Sequence, residues 1–121
     1  MGSILVLDDS ASMRQLIKVA LAEQGHTVKG AANGAQGLQF AKAAPFDLII
    51  TDLNMPEMDG LTFIREVRKV PDHCGTPVLF VSTETSEAVR QQAKAAGATG
   101  WVSKPFSPEQ LRRVVEKVMA R

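Results

Sequence analysis

The chain has 121 residues, which is the length of one small domain with a single core. Lys and Arg number 14 and Asp and Glu number 13, so the net charge of +1 argues against a nucleic-acid-binding surface or an acidic tail. One cysteine excludes an internal disulfide and a multi-cysteine zinc site, and no apolar run is long enough to span a membrane. No basic segment precedes the first apolar run, so we expect no signal peptide, a cytoplasmic location and one domain over 1–121.

Short apolar runs alternate along the chain with segments of helical periodicity. Three dense runs without polar alternation predict strands that are covered on both faces, and two weaker runs complete a set of five strands. The five runs lie at 4–7, 27–31, 48–50, 78–81 and 99–102.

Apolar stripes at helical spacing predict a helix after each strand. The helices are predicted to start at Ser10, Asn33, Asp59-Gly60, Ser86 and Ser107-Pro108, and Gly25 and Gly97 are placed to end the first and fourth. Five strand–helix repeats predict a parallel sheet with helices on both faces, whose functional residues lie at the carboxyl ends of the strands.

Charged and hydroxyl side chains follow four of the five predicted strands. Asp8 and Asp9 follow the first strand, Asp52 the third, Ser82 the fourth and Lys104 the fifth. Three converging carboxylates repel one another, and a hard divalent cation such as Mg²⁺ would relieve that repulsion. A nearby Lys and hydroxyl suit a phosphoryl group, and an Asp in such a site can itself be the nucleophile that forms an aspartyl-phosphate.

Each of these residues also has a purely structural interpretation. Asp8 and Asp9 could cap the first helix, Asp52 could belong to the turn before the loop at 55–60, and Ser82 and Lys104 could lie in solvated turns. These interpretations would require four independent coincidences at one edge of the sheet. The sequence therefore favours a metal-assisted phosphoryl site there.

In order and spacing, the motifs of the chain resemble those of receiver domains of two-component response regulators, and in particular single-domain chemotaxis regulators of the CheY type. The resemblance covers essentially the whole chain. It implies an α/β, flavodoxin-like three-layer sandwich with a five-stranded parallel sheet of order 2-1-3-4-5, five helices and no output domain. The motifs are Val6-Leu7-Asp8-Asp9-Ser10, Asp47-Leu48-Ile49-Ile50-Thr51-Asp52, Met55-Pro56 through Asp59-Gly60, Val81-Ser82 and Lys104-Pro105-Phe106.

The resemblance implies that Asp52 is the phosphoacceptor of a self-catalysed reaction. Mg²⁺, or Mn²⁺ in its place, would be bound directly by Asp9, largely through water by Asp8, and also by Asp52 and the backbone carbonyl of Asn54. In the family, the positions of Asn54 and Glu84 flank the path of the hydrolytic water. This pair resembles that of fast-hydrolysing chemotaxis regulators, so we expect an aspartyl-phosphate that lasts seconds to minutes.

Three further residues have roles that the resemblance implies. Lys104 would pair with the phosphoryl group after a cis peptide bond to Pro105, and Ser82 would move inward to bond the same group. Trp101, the one Trp of the chain, stands where the family usually has Tyr or Phe. Trp101 could simply pack at the sheet edge, or it could rotate as Ser82 moves and remodel the face formed by helix 4, strand 5 and helix 5.

The implied partners are the phosphotransfer domain of a histidine kinase and a target such as the flagellar motor switch. Met13 and Phe106 flank the predicted site and are the best candidates for docking the kinase. We expect a monomer that binds neither nucleic acid nor membranes and is not an enzyme beyond its own phosphorylation and dephosphorylation. His26 and His73 lie in predicted loops, and we expect both at the surface.

Other functions share parts of this pattern. The same chemistry would serve a phosphate sink or a relay intermediate without motor binding. A phosphatase of the haloacid dehalogenase type also uses a strand-end Asp with Mg²⁺, but it needs a second acid where this chain has Asn54. A flavodoxin-like FMN binder needs a hydroxyl-rich loop after the first strand, where Asp8 and Asp9 would repel the phosphate.

Overall fold

The computed structural model describes residues 2–84 and 86–120, in which strands and helices alternate as predicted. All five strands are parallel and form one sheet of order β2-β1-β3-β4-β5, which confirms the predicted topology. The elements are β1 (Ser3–Leu7), α1 (Ala11–Ala22), β2 (Thr27–Ala31), α2 (Gly34–Ala43), β3 (Leu48–Asp52), α3 (Gly60–Val67), β4 (Val78–Ser82), α4 (Glu87–Ala95), β5 (Gly100–Ser103) and α5 (Pro108–Met119). A short 3-10 turn at Pro71–His73 was not predicted.

The three central strands β1, β3 and β4 are buried on both faces and separate two apolar layers. Side chains alternate across them, so that Ile4 and Val6 pack with α1 and α5, whereas Leu5 and Leu7 pack with α2, α3 and α4. The result is the predicted three-layer sandwich. Among the described residues, no helix is both long and apolar enough to cross a membrane.

All five helices begin at a polar N-cap, as the sequence predicts. The side chain of each cap accepts a hydrogen bond from the backbone N–H three residues later, which satisfies one donor that the helix itself leaves unpaired. The caps are Ser10, Asn33, Asp59, Ser86 and Ser107. The caps before α1 and α3 lie on the loops that carry the acidic motifs, so they also fix where those loops turn.

The expectation that His73 lies at the surface is wrong. His73 is fully buried, with Nδ1 2.9 Å from the Thr76 Oγ1 and Nε2 3.2 Å from the Ala44 carbonyl oxygen. Its ring also stacks on Phe46, with the centroids 6.1 Å apart. His26 is half-buried, and its Nδ1 accepts the Gly2 N–H at 3.0 Å.

Arg68 joins the loops that lead into β4 and β5, at the end of the sheet opposite the acidic motifs. Its guanidinium donates to the carbonyl oxygens of His73 at 3.0 Å and Gly97 at 2.7 Å, and also to that of Thr76. One side chain thus satisfies three backbone acceptors that the strand ladder leaves unpaired.

Candidate functional site

Three carboxylates meet at the carboxyl ends of β1 and β3. These strands are neighbours in the sheet with Leu7 opposite Thr51, so the residues that come next, Asp8 and Asp52, emerge side by side. One oxygen each of Asp8, Asp9 and Asp52 lies within 4.8 Å of the others. Asp8 and Asp52 are buried, whereas Asp9 is exposed at the mouth of the site. Hard carboxylate oxygens that repel one another at this separation form a suitable donor set for Mg²⁺.

Lys104 reaches into this cluster from the end of β5. Its Nζ lies 3.0 Å from Asp8 Oδ2 and 3.3 Å from Asp52 Oδ2. Its backbone N–H donates to the Ser82 carbonyl oxygen at 2.8 Å, and the Lys104–Pro105 peptide is cis, as expected. One ammonium opposite three carboxylates leaves excess negative charge for a divalent cation.

The ionisation of the site follows from its burial and its charges. Burial raises the pKa of Asp52, and repulsion from Asp8 acts in the same direction while attraction to Lys104 opposes both. Burial also opposes the charged form of Lys104. Its hydrogen bond to Asp8 and its attraction to Asp52 outweigh this effect, and the pKa of Lys104 is raised. The attraction between the Lys104 ammonium and Asp52 therefore favours the carboxylate form of Asp52.

Ser82 is the last residue of β4, the strand that pairs with β3 beside Asp52, and Glu84 follows it by two residues. Ser82 is fully buried, and Asp52 lies opposite Val81 in the β3–β4 ladder. The Ser82 Oγ accepts the Glu84 N–H at 3.0 Å. Asn54 is exposed, and its N–H donates to Asp52 Oδ1 at 3.4 Å. The predicted phosphoryl contact of Ser82, metal contact of the Asn54 carbonyl and effect of Asn54 and Glu84 on lifetime stay predictions.

Trp101 lies at the sheet edge between β4 and α4. It is half-buried opposite Phe80, with the ring centroids 5.8 Å apart. The Arg90 guanidinium of α4 lies 5.5 Å from the Trp101 ring centroid and donates to the Ser103 Oγ at 3.3 Å. Trp101 therefore packs at the sheet edge, as one of the two predicted interpretations has it. Rotation of Trp101 with Ser82 stays a prediction.

Met13 and Phe106 are half-buried and pack against the apolar layer formed by α1 and α5. Met13 is in the first turn of α1, and Phe106 follows the loop of Lys104. Their proposed contact with a kinase stays a prediction. Sequence reasoning missed Arg14, whose guanidinium donates to the Asp8 carbonyl oxygen at 2.6 Å. No pattern in the sequence distinguishes Arg14 from the other polar residues of α1.

The fold and the acidic cluster are those of a response regulator receiver domain. The family model of that domain matches residues 4–116, so the chain belongs to this family of two-component signalling proteins. The chain is 36% identical over 119 residues to the chemotaxis protein CheY of Pseudomonas aeruginosa, covering 98% of this chain and 96% of that protein. The solved structure of the chemotaxis response regulator CheY4 of Vibrio cholerae superposes with a TM-score of 0.94 at 44% identity, covering 98% of each chain. The chain is thus a CheY-type receiver.

Another relative is a much longer protein. Over 116 residues the chain is 35% identical to the sensor histidine kinase CheAY of Helicobacter pylori, covering 94% of this chain. The chain spans 14% of the length of that protein.

Proposed function

We propose that this receiver accepts a phosphoryl group from a phosphohistidine of a partner kinase onto Asp52 and then binds a target protein. One observation carries the proposal: the Lys104 ammonium contacts both Asp8 and Asp52 inside a cluster of three carboxylates. A carboxylate with a purely structural role at a strand end would need neither a neighbouring ammonium nor two further carboxylates. A nucleophile that must approach an anionic phosphoryl group needs the cations and the metal ligands beside it.

The transfer exchanges one bond for another. A carboxylate oxygen of Asp52 forms a P–O bond while the P–N bond of the phosphohistidine breaks, and the electron pair of that bond returns to the imidazole, which takes up a proton. Asp8 and Asp9 would hold Mg²⁺, with the Asn54 carbonyl as a further ligand, and the bound ion would draw charge from the phosphoryl oxygens. Lys104 neutralises the same oxygens, and its attraction opposes protonation of Asp52 before the transfer.

The proposed output follows from the new charge at Asp52. Ser82 would donate its hydroxyl to the phosphoryl group, and Trp101 would move with it, which shifts the equilibrium between two arrangements of the face formed by α4, β5 and α5. The target is a protein such as the flagellar motor switch. A phosphate sink or relay would use the same chemistry without that target. With Asn54 and Glu84 in place, we expect the phosphorylated state to last seconds to minutes.

The names of the relatives support this assignment of partners. Two of them are chemotaxis regulators, and the third is named as a sensor histidine kinase. A kinase phosphotransfer domain is thus the proposed donor, with Met13 and Phe106 at its docking site. The cytoplasmic location and the monomeric state stay predictions.

Intact-mass measurement after incubation with acetyl phosphate and Mg²⁺ tests the chemistry. We expect the wild-type protein to gain one phosphoryl group, and we expect no gain in EDTA or in Asp52→Asn. A gain that persists in Asp52→Asn would overturn the assignment of the acceptor. Capture by a motor switch peptide, with and without a phosphoryl mimic, separates the motor role from a phosphate sink, which would show no binding in either state.

A further inference from the structure

We infer that Arg14 is a positioning residue for the acidic cluster, acting on the metal-binding carboxylates through the backbone of Asp8. The inference rests on the proposed function. Arg14 lies in the first turns of α1, and its Nη1 donates across the β1–α1 turn to the Asp8 carbonyl oxygen at 2.6 Å. This hydrogen bond is charge-assisted, so it is stronger than a bond between neutral groups.

Arg14 completes the set of bonds that hold Asp8. The Asp8 N–H donates to the Ala31 carbonyl oxygen at 3.1 Å, and Oδ1 accepts the Ser10 N–H at 2.9 Å. Oδ2 accepts from Lys104 at 3.0 Å. With Arg14 on the carbonyl oxygen, every backbone and side-chain polar group of this buried residue has a partner. Asp8 is therefore fixed in position and in rotamer.

The placement of the Asp9 side chain depends on the hydrogen bonds that hold Asp8. Within the described ranges 2–84 and 86–120, no hydrogen bond or ion pair holds the exposed Asp9 side chain. Its position is set by the backbone between Asp8 and Ser10. Arg14 holds the peptide group that joins Asp8 to Asp9, so loss of its donor loosens the residue expected to ligate the metal directly.

The Arg14 side chain lies against the neighbouring strand. A Cβ atom on Gly30 of β2 would lie 3.4 Å from Arg14 Cδ and 3.8 Å from Nε, which is ordinary van der Waals contact. Lys18, one turn further along α1, lies on the same groove but is exposed. It provides a matched control, because Lys18→Met removes the same charge without removing a bond to Asp8.

Positioning and charge predict opposite effects on metal binding. The Arg14 guanidinium is a cation near a cation site, so its removal would by electrostatics alone tighten Mg²⁺ binding. Loss of positioning would weaken binding, since removing residues that orient metal ligands costs about 10–100-fold in affinity. At about 0.5 M salt the screening length falls to roughly 4 Å, and the charge effect between groups further apart is largely suppressed.

The test compares Mg²⁺ dissociation constants of wild type, Arg14→Met and Lys18→Met at that ionic strength, by titration calorimetry. We expect Arg14→Met to bind about tenfold more weakly, and we expect Lys18→Met to stay within about twofold of wild type. Equal affinity of Arg14→Met and wild type would overturn the positioning role and leave the proposed function intact. A wild-type protein that neither binds Mg²⁺ nor accepts a phosphoryl group would overturn both.

A second measurement needs no metal and also checks folding. In EDTA, amide hydrogen exchange at Ser10, whose N–H donates to Asp8, should become faster in Arg14→Met, while exchange in β3 and β4 stays unchanged. Unchanged exchange at Ser10 would also refute the inference. Faster exchange throughout the sheet would assign Arg14 to global stability instead.

Discussion

Gly60, the first residue of α3, packs directly against the backbone of the candidate site. A Cβ atom at this position would lie 2.5 Å from the Asp52 carbonyl oxygen, 2.5 Å from Phe80 Cε1 and 3.0 Å from the Leu53 Cα. Relaxed contacts between non-bonded carbon atoms are about 3.5–4.0 Å. Two of the three neighbours are backbone atoms, so the Gly60→Ala variant requires a shift of about 1 Å in α3 or in the β3–α3 loop.

The steric clash of a Cβ atom at position 60 is expected to lower the free energy of unfolding. Overpacking of a filled interior costs about 1–3 kcal/mol. The same shift weakens the Gly60 N–H···O=C bond to Leu53, which is 2.7 Å long and contributes about 1 kcal/mol. Replacing Gly by Ala returns at most about 1 kcal/mol through helix propensity and the unfolded chain. We therefore expect Gly60→Ala to lower the free energy of unfolding by about 2 kcal/mol.

Urea denaturation followed by circular dichroism provides the measurement. Gly75→Ala is the matched control, because a Cβ there meets no atom within 4 Å, and we expect its stability to stay within about 0.5 kcal/mol of wild type. If Gly60→Ala unfolds at the same urea concentration as wild type, then α3 can move freely away from Asp52. The close approach would then not hold the site in position.

Three further predictions concern the charges of the molecule. At a 100-fold excess over its dissociation constant, Mg²⁺ should raise the free energy of unfolding of wild type by about 2.7 kcal/mol and that of Asp52→Asn far less, with EDTA samples as reference. Equal stabilisation would contradict a metal site at Asp52. Arg68→Met should cost about 2–3 kcal/mol in urea denaturation, because it leaves three carbonyl oxygens beside β4 without their donor, whereas exposed Arg65→Met should cost less than about 0.5 kcal/mol. Burial lowers the pKa of His26, whose Nδ1 accepts the Gly2 N–H, so the folded state binds fewer protons than the unfolded one. The free energy of unfolding should fall as the pH is lowered through the histidine range, and a slope equally steep in His26→Gln would exclude His26 as its source.

The sequence predicts this fold well because the decisive signals are local. A cap such as Ser10 or Asn33 next to an apolar stripe is read within a few residues, and every predicted helix start is observed. The meeting of Asp8 with Asp52 also follows, because neighbouring parallel strands place their carboxyl ends together. These signals need no knowledge of how distant segments pack.

The missed features depend on such packing. His73 ends a three-residue 3-10 turn that is too short to show periodicity. It is buried, and its two ring nitrogens bond to Thr76 and to the carbonyl oxygen of Ala44, which lies in a different part of the sequence. In the sequence, Arg14 looks the same as the other polar residues on the polar face of α1. Its contact with the Asp8 carbonyl depends on the angle between α1 and β1, which no pattern in the sequence specifies.

The two sides of the candidate site differ in how well hydrogen bonds and packing hold them in place. On the β1 side, every polar group of Asp8 has a partner. On the β5 side, α4 buries Ala93 as its one fully buried residue among those described, and Arg90 ties it to the sheet through a long 3.3 Å bond to Ser103. Ser103 directly precedes Lys104. If Asp52 is phosphorylated as proposed, the phosphoryl group would act on Lys104 and, through Ser103, on the lightly held α4 side rather than on the acids. A helix held by so little costs little free energy to shift, so the charge of one group would be enough to move it.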